Sequence, residues 1–114
     1  LDKVYFELNS AQIKQDSFGL LDEVAATLLN HPELELLEVQ GHTDQQGSAT
    51  YNQGLSEKRA VSVRTYMISQ GVEAERLRAK GYGEAEPLIN ETNAAAYAAN
   101  RRVEFHILKR SAAK

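Results

Sequence analysis

The sequence predicts an α+β domain in which helices cover one face of a mixed four-stranded sheet. Short segments with alternating apolar and polar residues, typical of half-buried strands, are separated by two longer segments whose apolar residues recur every three or four positions, as on one helix face. No linker, low-complexity tract or internal repeat interrupts this succession. We therefore predict a two-layer sandwich with the order β-α-β-α-β-(α)-β. Residues 1–109 form this one domain, and residues 110–114 form a polar tail.

The first predicted strand covers residues 3–8. Its apolar residues occupy alternate positions, which predicts one buried face. These residues are Val4, Phe6 and Leu8. The turn-forming residues Asn9 and Ser10 end the strand.

The first predicted helix covers residues 17–29. Its central apolar residues recur every four positions, and they are Leu20, Val24 and Leu28. Ser17 is a candidate N-cap. Pro32 ends the helix, because the residue before a proline disfavours helical geometry.

The second predicted strand covers residues 34–42. Leu37, Val39 and Gly41 share one face, whereas Leu34 and Leu36 fall on the polar face. We therefore expect the start of this strand to be bulged or buried on both faces.

The second predicted helix begins near Thr50 and ends before Gly71, which is well placed as a left-handed C-terminal cap. Its inner stripe consists of Ala60, Val63 and Met67. A neighbouring face carries Asn52, Ser56 and Arg59 at helical spacing.

The remaining elements are a third strand over residues 77–82, a short alanine-rich helix over residues 94–99 and a last strand over residues 101–108. In the last strand the residues predicted to face inward are Val103, Phe105 and Ile107. The polar residues from Lys109 onward are expected to fray.

The composition excludes several classes of protein. The net charge is -3, whereas a nucleic-acid-binding domain usually has an excess of basic residues. The absence of cysteine excludes disulfides and thiolate metal sites. The chain contains neither an apolar run long enough to span a membrane nor a signal peptide. We expect it to be a domain of a longer precursor, with any export signal or anchor elsewhere.

Residues 41–60 carry the most informative pattern. An acid, Asp44, follows the second strand, and a base, Arg59, lies on the next helix, with Asn52 and a glycine-bearing loop between them. Loops at strand ends commonly carry function. A carboxylate pairs with an ammonium, and a guanidinium offers a planar fork to a carboxylate. The pattern therefore predicts a binding site for a zwitterionic amino-acid centre, although a structural ion pair is an alternative.

Other motifs favour structural interpretations. His42 and Asp44 provide too few ligands for a metal site, and we predict neither a metal nor a cofactor. Gly81-Tyr82-Gly83 lacks the third glycine of a dinucleotide fingerprint. No nucleophile with a matching base appears, so we predict that the domain is not an enzyme. Arg101 and Arg102 follow Asn100 and are expected to bridge acids rather than to bind phosphate.

The chain resembles the OmpA-like C-terminal domain. This domain is the peptidoglycan-binding module of outer-membrane protein A, the peptidoglycan-associated lipoprotein and flagellar stator proteins. The resemblance covers nearly the whole chain and depends on an ordered set of short motifs. These are Val4-Tyr5-Phe6, Asn9, Ile13, Gly41-His42-Thr43-Asp44, Gly47, Asn52, Leu55-Ser56, Arg59-Ala60, Val63, Gly71, Gly81-Tyr82-Gly83, Pro87 and Asn100-Arg101-Arg102-Val103-Glu104-Phe105.

The resemblance implies non-covalent binding of the diaminopimelate residue of the peptidoglycan stem peptide. It implies that Asp44 binds the ammonium of the D-centre and that Arg59 binds its carboxylate. Asn52 and Leu55 would line the same pocket. The loop around Asn9 and Ser10 would offer backbone N–H groups, and Thr43 and Arg101 would make peripheral contacts. Many members of the family carry Asp at the position of Asn9, and Gln45-Gln46 also departs from the family pattern.

The predicted function is therefore to anchor the outer membrane, or an envelope complex, to the cell wall from the periplasm of a Gram-negative envelope. The tether to the outer membrane would lie outside this chain. The alternative is an envelope protein–protein interaction domain of the same fold that does not bind the wall. A wall-modifying enzyme is a third hypothesis, disfavoured by the lack of an acid–base pair or metal set.

Overall fold

The structure, a computed structural model, describes residues 3–111 of the chain. The strands are β1 (Leu34–His42), β2 (Leu77–Gly83) and β3 (Arg102–Arg110), and the helices are α1 (Phe18–Asn30), α2 (Ala49–Ser69) and α3 (Ala94–Asn100). Single-turn 3₁₀ helices precede α1 and β2 at Gln15–Ser17 and Ala74–Arg76. In the sheet, β1 is central, with β2 parallel to it on one side and β3 antiparallel on the other. The α+β class and the mixed sheet are thus confirmed.

The core lies between the sheet and the helices. The α2 helix packs against β1 and β2, and α1 packs against α2. The residues with no exposed surface include the predicted inner stripe of α2, and they are Leu21, Val39, Ala60, Val63 and Met67. Burying side chains of this kind contributes about 1.5–3 kcal/mol for each of the larger ones.

Within residues 3–111 the sheet has three strands rather than the predicted four. Residues 3–8 make one isolated antiparallel bridge, between Phe6 and Ile13, so this segment turns back on the chain that follows it. The backbone hydrogen bonds of this loop are Glu7 N to Gln12 O (2.9 Å) and Lys14 N to Tyr5 O (2.8 Å). The backbone groups that would join a sheet are thus used locally.

The predicted alternation in this segment holds for Val4 and fails for Leu8. Val4 is buried in the core, whereas Leu8 is 88% exposed because it lies in the turn of the loop. Ser17 connects the segment to α1. It occupies the N-cap position, as predicted, but its side chain does not cap the helix, because its Oγ accepts a hydrogen bond from the backbone N–H of Tyr5 (2.7 Å).

The predicted bounds of β1 are confirmed, and so is the irregularity at its start. The pairing with β3 changes register between Leu34 and Leu36 and again between Leu36 and Leu37. The first shift leaves Glu35 of β1 without an opposite residue, and the second leaves Leu108 of β3 without one, as in β-bulges. Apolar residues on both parities of the sequence are at least partly buried in this part of the strand.

The α2 helix ends where predicted. Gly71 has φ +104°, in the left-handed region that glycine adopts without steric cost. Its N–H donates to Ile68 O (3.0 Å), and the N–H of Val72 donates to Met67 O (3.2 Å). These two bonds form a Schellman motif that satisfies the last carbonyls of the helix.

Two strand glycines determine how closely α2 lies on the sheet. A Cβ on Gly41 of β1 would lie 2.2 Å from the carbonyl oxygen of Ser56, and a Cβ on Gly81 of β2 would lie 2.5 Å from the backbone nitrogen of Glu57. Neither distance is possible for real atoms. The absence of these side chains therefore lets the helix backbone contact the two strands directly, next to the loop that carries Asp44.

The β3 strand runs two residues beyond the predicted end, to Arg110. Val103 and Phe105 pack against the core, as predicted. Ile107 is 45% exposed, so its predicted inward position is wrong. The strand lies at the sheet edge, and its residues from His106 to Arg110 are exposed. Residues 112–114 of the predicted polar tail lie outside the described residues.

Among residues 3–111 we find no helix with the length and apolar character that crossing a membrane requires.

Candidate functional site

Asp44 is a buried carboxylate directly after β1. Its Oδ1 accepts a hydrogen bond from the backbone N–H of Gln46 (2.8 Å), and its Oδ2 accepts one from Arg101 Nη1 (2.6 Å). The Asp44 side chain is 8% exposed, whereas the Arg101 side chain is 49% exposed. One partner of the carboxylate is therefore fixed backbone, and the other is a long side chain with access to solvent.

The register of the sheet explains this pair. Because β3 runs antiparallel to β1 with Arg102 opposite His42, the residue before Arg102 lies beside the end of β1. Arg102 itself pairs with Glu104 and donates to Asn100 O (3.2 Å). The prediction that both arginines bridge acids is thus confirmed. In this structure Arg101 contacts Asp44 directly, and its peripheral contact with a ligand stays a prediction.

Arg59 lies on α2 and is partly buried. Its Nε donates to the carbonyl oxygen of Ser10 (2.8 Å), and its guanidinium carbon lies 4.8 Å from the centre of the Phe6 ring. Burial is the main cause that lowers the pKa of Arg59; the phenol of Tyr51 opposes this shift, and the charge of Arg101 adds to it. Within residues 3–111 no carboxylate pairs with Arg59.

The structural ion pair between Asp44 and Arg59, considered as an alternative from the sequence, is therefore not formed. Each of the two groups has its own partners: the acid contacts Arg101, and the base contacts a carbonyl and an aromatic ring.

Asn52 holds the loop that carries Asp44. It is buried, and its Nδ2 lies within hydrogen-bonding distance of Gln46 O (2.8 Å), Asp44 O (3.3 Å) and Glu84 Oε1 (3.3 Å). In this structure its amide therefore fixes the loop backbone. Leu55 lies one helical turn before Arg59 on α2 and is partly buried.

The loop around Asn9 and Ser10 contacts Arg59 through the backbone carbonyl of Ser10. The N–H of Ser10, predicted to be offered to a ligand, donates to Glu7 O (3.1 Å), while its own carbonyl accepts from Arg59. Asn9 has φ +51° and lies 3.5 Å, Oδ1 to Oη, from Tyr51. Asn and Asp are the non-glycine residues that most readily adopt this left-handed conformation, which explains why Asn9 fits at this position.

Thr43 and His42 are buried beside Asp44, and each has one unpartnered atom, Thr43 Oγ1 and His42 Nδ1. The His42 ring stacks on Tyr82 at 5.2 Å between centroids. Burial, and secondarily the charge of Arg102, lower the pKa of His42. Among residues 3–111 no three side chains of metal-ligand type come together.

A cavity of about 410 Å³ opens between the first segment, the start of β3 and α2. Its volume lies in the range of roughly 300–1,000 Å³ that is usual for small-molecule sites. Among the residues that line it are Lys3, Phe6, Leu8, Arg59 and Arg101. The cavity thus brings together Arg59 and Arg101, and Asp44 is bonded to the second of these.

Sequence reasoning missed three residues of the site. Phe6 and Tyr51 contact predicted site residues, and Lys3 lines the cavity. The helical spacing of Tyr51 and Leu55 was a usable signal. No such signal in the sequence points to Lys3, because its position depends on the local folding of the first segment.

The chain is similar in sequence to known proteins. The OmpA family matches residues 5–101. Outer membrane porin F of Pseudomonas aeruginosa is 37% identical over 105 residues, which cover 91% of this chain and 30% of that protein. Outer membrane protein A of Escherichia fergusonii is 42% identical over 90 residues, which cover 78% of this chain and 37% of that protein. The chain thus spans about a third of the length of these relatives.

Two solved structures extend the similarity to the fold. The peptidoglycan-associated lipoprotein from Burkholderia pseudomallei superposes with a TM-score of 0.81 at 31% identity, covering 91% of this chain and 88% of that chain. The C-terminal domain of Helicobacter pylori MotB has a TM-score of 0.82 at 24% identity, covering 93% and 83%, and shows the fold alone. The family match over residues 5–101 and the similarity to these relatives show that the chain belongs to the OmpA family.

Proposed function

We propose that this chain binds cell-wall peptidoglycan without covalent bonds, through the zwitterionic D-centre of diaminopimelate in the stem peptide. It thereby anchors the outer membrane, or an envelope complex, to the wall from the periplasm. The observation that supports this most directly is the combination of a buried carboxylate, Asp44, with a partly buried guanidinium, Arg59, whose contacts are uncharged.

The ammonium of the ligand would bind Asp44 in place of Arg101. Asp44 is held by its hydrogen bond from Gln46, so the acceptor is positioned before the ligand arrives. Arg101 is half-exposed, so its side chain can move into solvent at little cost. The exchange replaces one cation on the buried carboxylate by another, and the charge of Asp44 is never left unpaired.

The carboxylate of the ligand would bind Arg59. The Nε of this residue is used by Ser10 O, which fixes the orientation of the guanidinium and leaves its outer N–H groups for a second partner. A lysine stem residue has the ammonium but lacks this carboxylate. Since a partly buried charge then loses its partner, we expect weaker binding of lysine-type stem peptides.

The family supports the ligand class. The relative from Burkholderia pseudomallei is named as a peptidoglycan-associated lipoprotein and shares the fold along 91% of this chain. We extend peptidoglycan binding to this chain because Asp44 and Arg59 are both present in it.

We also propose that binding involves no chemical step. The polar side chains around the cavity are mainly cations bonded to carbonyls and carboxylates. The alternative function, an envelope protein–protein interaction domain that does not bind the wall, is disfavoured by the same two residues, which such a domain does not need.

Isothermal titration calorimetry tests the proposal. The wild-type chain is titrated with an L-Ala-D-Glu-diaminopimelate tripeptide and with the matching lysine tripeptide, and we expect at least tenfold tighter binding of the first. Asp44→Ala and Arg59→Ala should abolish binding, as well as co-sedimentation with purified sacculi. Arg78→Ala, which removes an exposed arginine of β2, is the matched control. Equal affinity for the two tripeptides would refute the assignment.

Incubation with sacculi separates the remaining hypotheses. If the chain is a binding module, muropeptide profiles before and after incubation are identical, while the chain is recovered in the sacculus pellet. New muropeptides would indicate an enzyme. A chain that remains in the supernatant would favour the protein–protein interaction domain.

A further inference from the structure

The cavity next to Asp44 is lined by more positive charge than one zwitterionic centre requires. Four of its lining residues are cationic, and none of the described residues that line it carries a carboxylate. These cations are Lys3, Arg59, Arg101 and Arg102. The chain as a whole is acidic, with a net charge of -3, so the basic character is local to the cavity.

Among residues 3–111, acids neutralise two of these cations. Arg102 pairs with Glu104, and Arg101 pairs with Asp44. Lys3, in contrast, donates to the carbonyl oxygens of Ala98 and Arg101, the second at 3.3 Å. Within residues 3–111 neither Lys3 nor Arg59 pairs with a carboxylate.

Ligand binding as proposed above would again leave two cations of the cavity without an acidic partner. When the ammonium of the ligand takes Asp44, Arg101 loses its acidic partner. The carboxylate of the zwitterionic centre neutralises Arg59 alone. Lys3 and Arg101 then remain as two cations that line the same cavity, and the ammonium of Lys3 donates to the backbone carbonyl of Arg101.

We infer that Lys3 and Arg101 form a second anion-binding subsite, which binds another free carboxylate of the same stem peptide. The inference rests on the proposed function and deepens it, because it makes the chain selective for stem peptides with two accessible carboxylates. A carboxylate between two cations forms strong charge-assisted hydrogen bonds and relieves their mutual repulsion.

The electrostatics of the ligand-free site agree with this arrangement. Burial is the main cause that lowers the pKa of Lys3, and the charges of Arg101 and Arg102 lower it further. The environment therefore disfavours the ammonium of Lys3 as long as no anion is bound. A carboxylate at this place would reverse the unfavourable charge interaction.

Two groups of the stem peptide can supply the second carboxylate. One is the α-carboxylate of the D-glutamyl residue before diaminopimelate, and the other is the C-terminal carboxylate of the D-alanine after it. Both present the same chemistry to Lys3 and Arg101. Amidation removes the charge of either group and keeps its size.

Calorimetry with three tetrapeptides tests the subsite in the full 114-residue chain. The peptides are unmodified L-Ala-D-Glu-diaminopimelate-D-Ala, its D-glutamyl α-amide and its C-terminal amide. We expect one amidation to raise the Kd of the wild-type chain about fivefold, in the range for a partly exposed ion pair, and that peptide identifies the source of the carboxylate.

Lys3→Met then connects the subsite to this residue. It should raise the Kd for the unmodified peptide about fivefold and leave unchanged the Kd for the peptide whose amidation mattered. Lys3→Arg should restore binding, because it retains the charge. Lys58→Met removes an exposed lysine outside the cavity and controls for the change in net charge. Thermal unfolding followed by circular dichroism checks the fold of each variant.

The outcomes separate this inference from the proposed function. If neither amidation changes the Kd, or if Lys3→Met weakens all three peptides equally, the subsite is refuted. Loss of binding in Asp44→Ala and Arg59→Ala would in that case still support the proposed function. If the wild-type chain binds none of the peptides, the proposed function and the subsite are both wrong. Should Lys3→Met fail to fold, the amidation series in the wild-type chain decides the question.

Discussion

Arg101 Nη1 lies 2.6 Å from Asp44 Oδ2, across a separation of 57 residues in the chain. This pair places a movable cation on the buried carboxylate that we assign to the ammonium of the ligand. In this structure Asp44 is therefore already paired with a cation, and the proposed binding would exchange that cation for the ammonium of the ligand.

Asp44→Asn isolates the charge of this carboxylate. The amide oxygen can still accept the hydrogen bond from Gln46, whereas attraction to an ammonium is lost. We expect at least a tenfold loss of affinity for the diaminopimelate tripeptide, measured by calorimetry. The free energy of unfolding should fall by only about 1 kcal/mol, because the partner Arg101 is half-exposed. Unchanged affinity would contradict the role of Asp44.

Arg59→Lys tests the need for a guanidinium rather than a positive charge alone. An ammonium can keep either the contact with Ser10 O or that with the ligand carboxylate, but it lacks the planar fork that makes both. We expect about a tenfold rise in Kd with a fold indistinguishable by circular dichroism. A lysine variant that binds as tightly as the wild type would show that the fork is not used.

Gly81→Ala should strongly destabilise the fold. The new Cβ would lie 2.5 Å from the backbone nitrogen of Glu57, and a helix backbone cannot yield as a flexible side chain would. We expect a loss of about 1–3 kcal/mol or more in the free energy of unfolding, measured in urea. Gly54→Ala is the matched control. It is exposed on α2, with no atom within 4 Å of its Cβ position, so it should stabilise the chain by about 0.5–1 kcal/mol.

Asn52→Ala removes the amide that holds the loop after β1. Backbone carbonyls of Asp44 and Gln46 then lose a buried donor, and this costs about 1–3 kcal/mol. Since the loop also positions the Asp44 carboxylate, affinity for the tripeptide should fall together with stability. A variant that loses stability and keeps full affinity would show that the loop geometry does not depend on Asn52.

Stability should fall as the solution is acidified, in part because of His42. Burial lowers its pKa in the folded chain, so between the ordinary histidine pKa of about 6.5 and the lower folded value the unfolded chain binds the proton more tightly. The contribution of His42 is thus fully retained above about pH 6.5 and is lost as the pH falls through this window.

The groups around His42 are Arg102, Glu104, Glu86 and His106, and they modulate this effect. Melting temperatures measured from pH 8 to pH 5 should fall less steeply in His42→Gln than in the wild type. Identical slopes in the wild type and His42→Gln would contradict the prediction.

The sequence predicted the elements whose pattern is repeated along the chain. The bounds of β1 and the inner stripe of α2 follow from periodicity that a strand and a helix must show. The first segment was predicted less well, because alternation over six residues does not determine whether the backbone pairs with the sheet or with the chain that follows it. The backbone pairing of this segment depends on contacts such as the hydrogen bond from the Tyr5 N–H to Ser17 Oγ.

The site was predictable in its residue types and not in its pairings. Asp44 and Arg59 belong to one local motif, so spacing alone brought them to attention. The contact of Asp44 with Arg101 arises from the antiparallel register of β3 against β1, which sequence patterns do not specify. Lys3, near the other end of the chain, could not be placed in the cavity, because its position depends on how the first segment folds.

The close approach of α2 to Gly41 and Gly81 has a consequence for how the site can change during evolution. Side chains can be exchanged and repacked, but a contact between backbones has no adjustable part. Asn52 and Arg59 flank Ser56 on the same helix, so their distance from the sheet is set by a spacing that no substitution can finely tune. In such a scaffold, ligand preference therefore changes only by substitutions in the loops and the chain ends, such as the segment that carries Lys3.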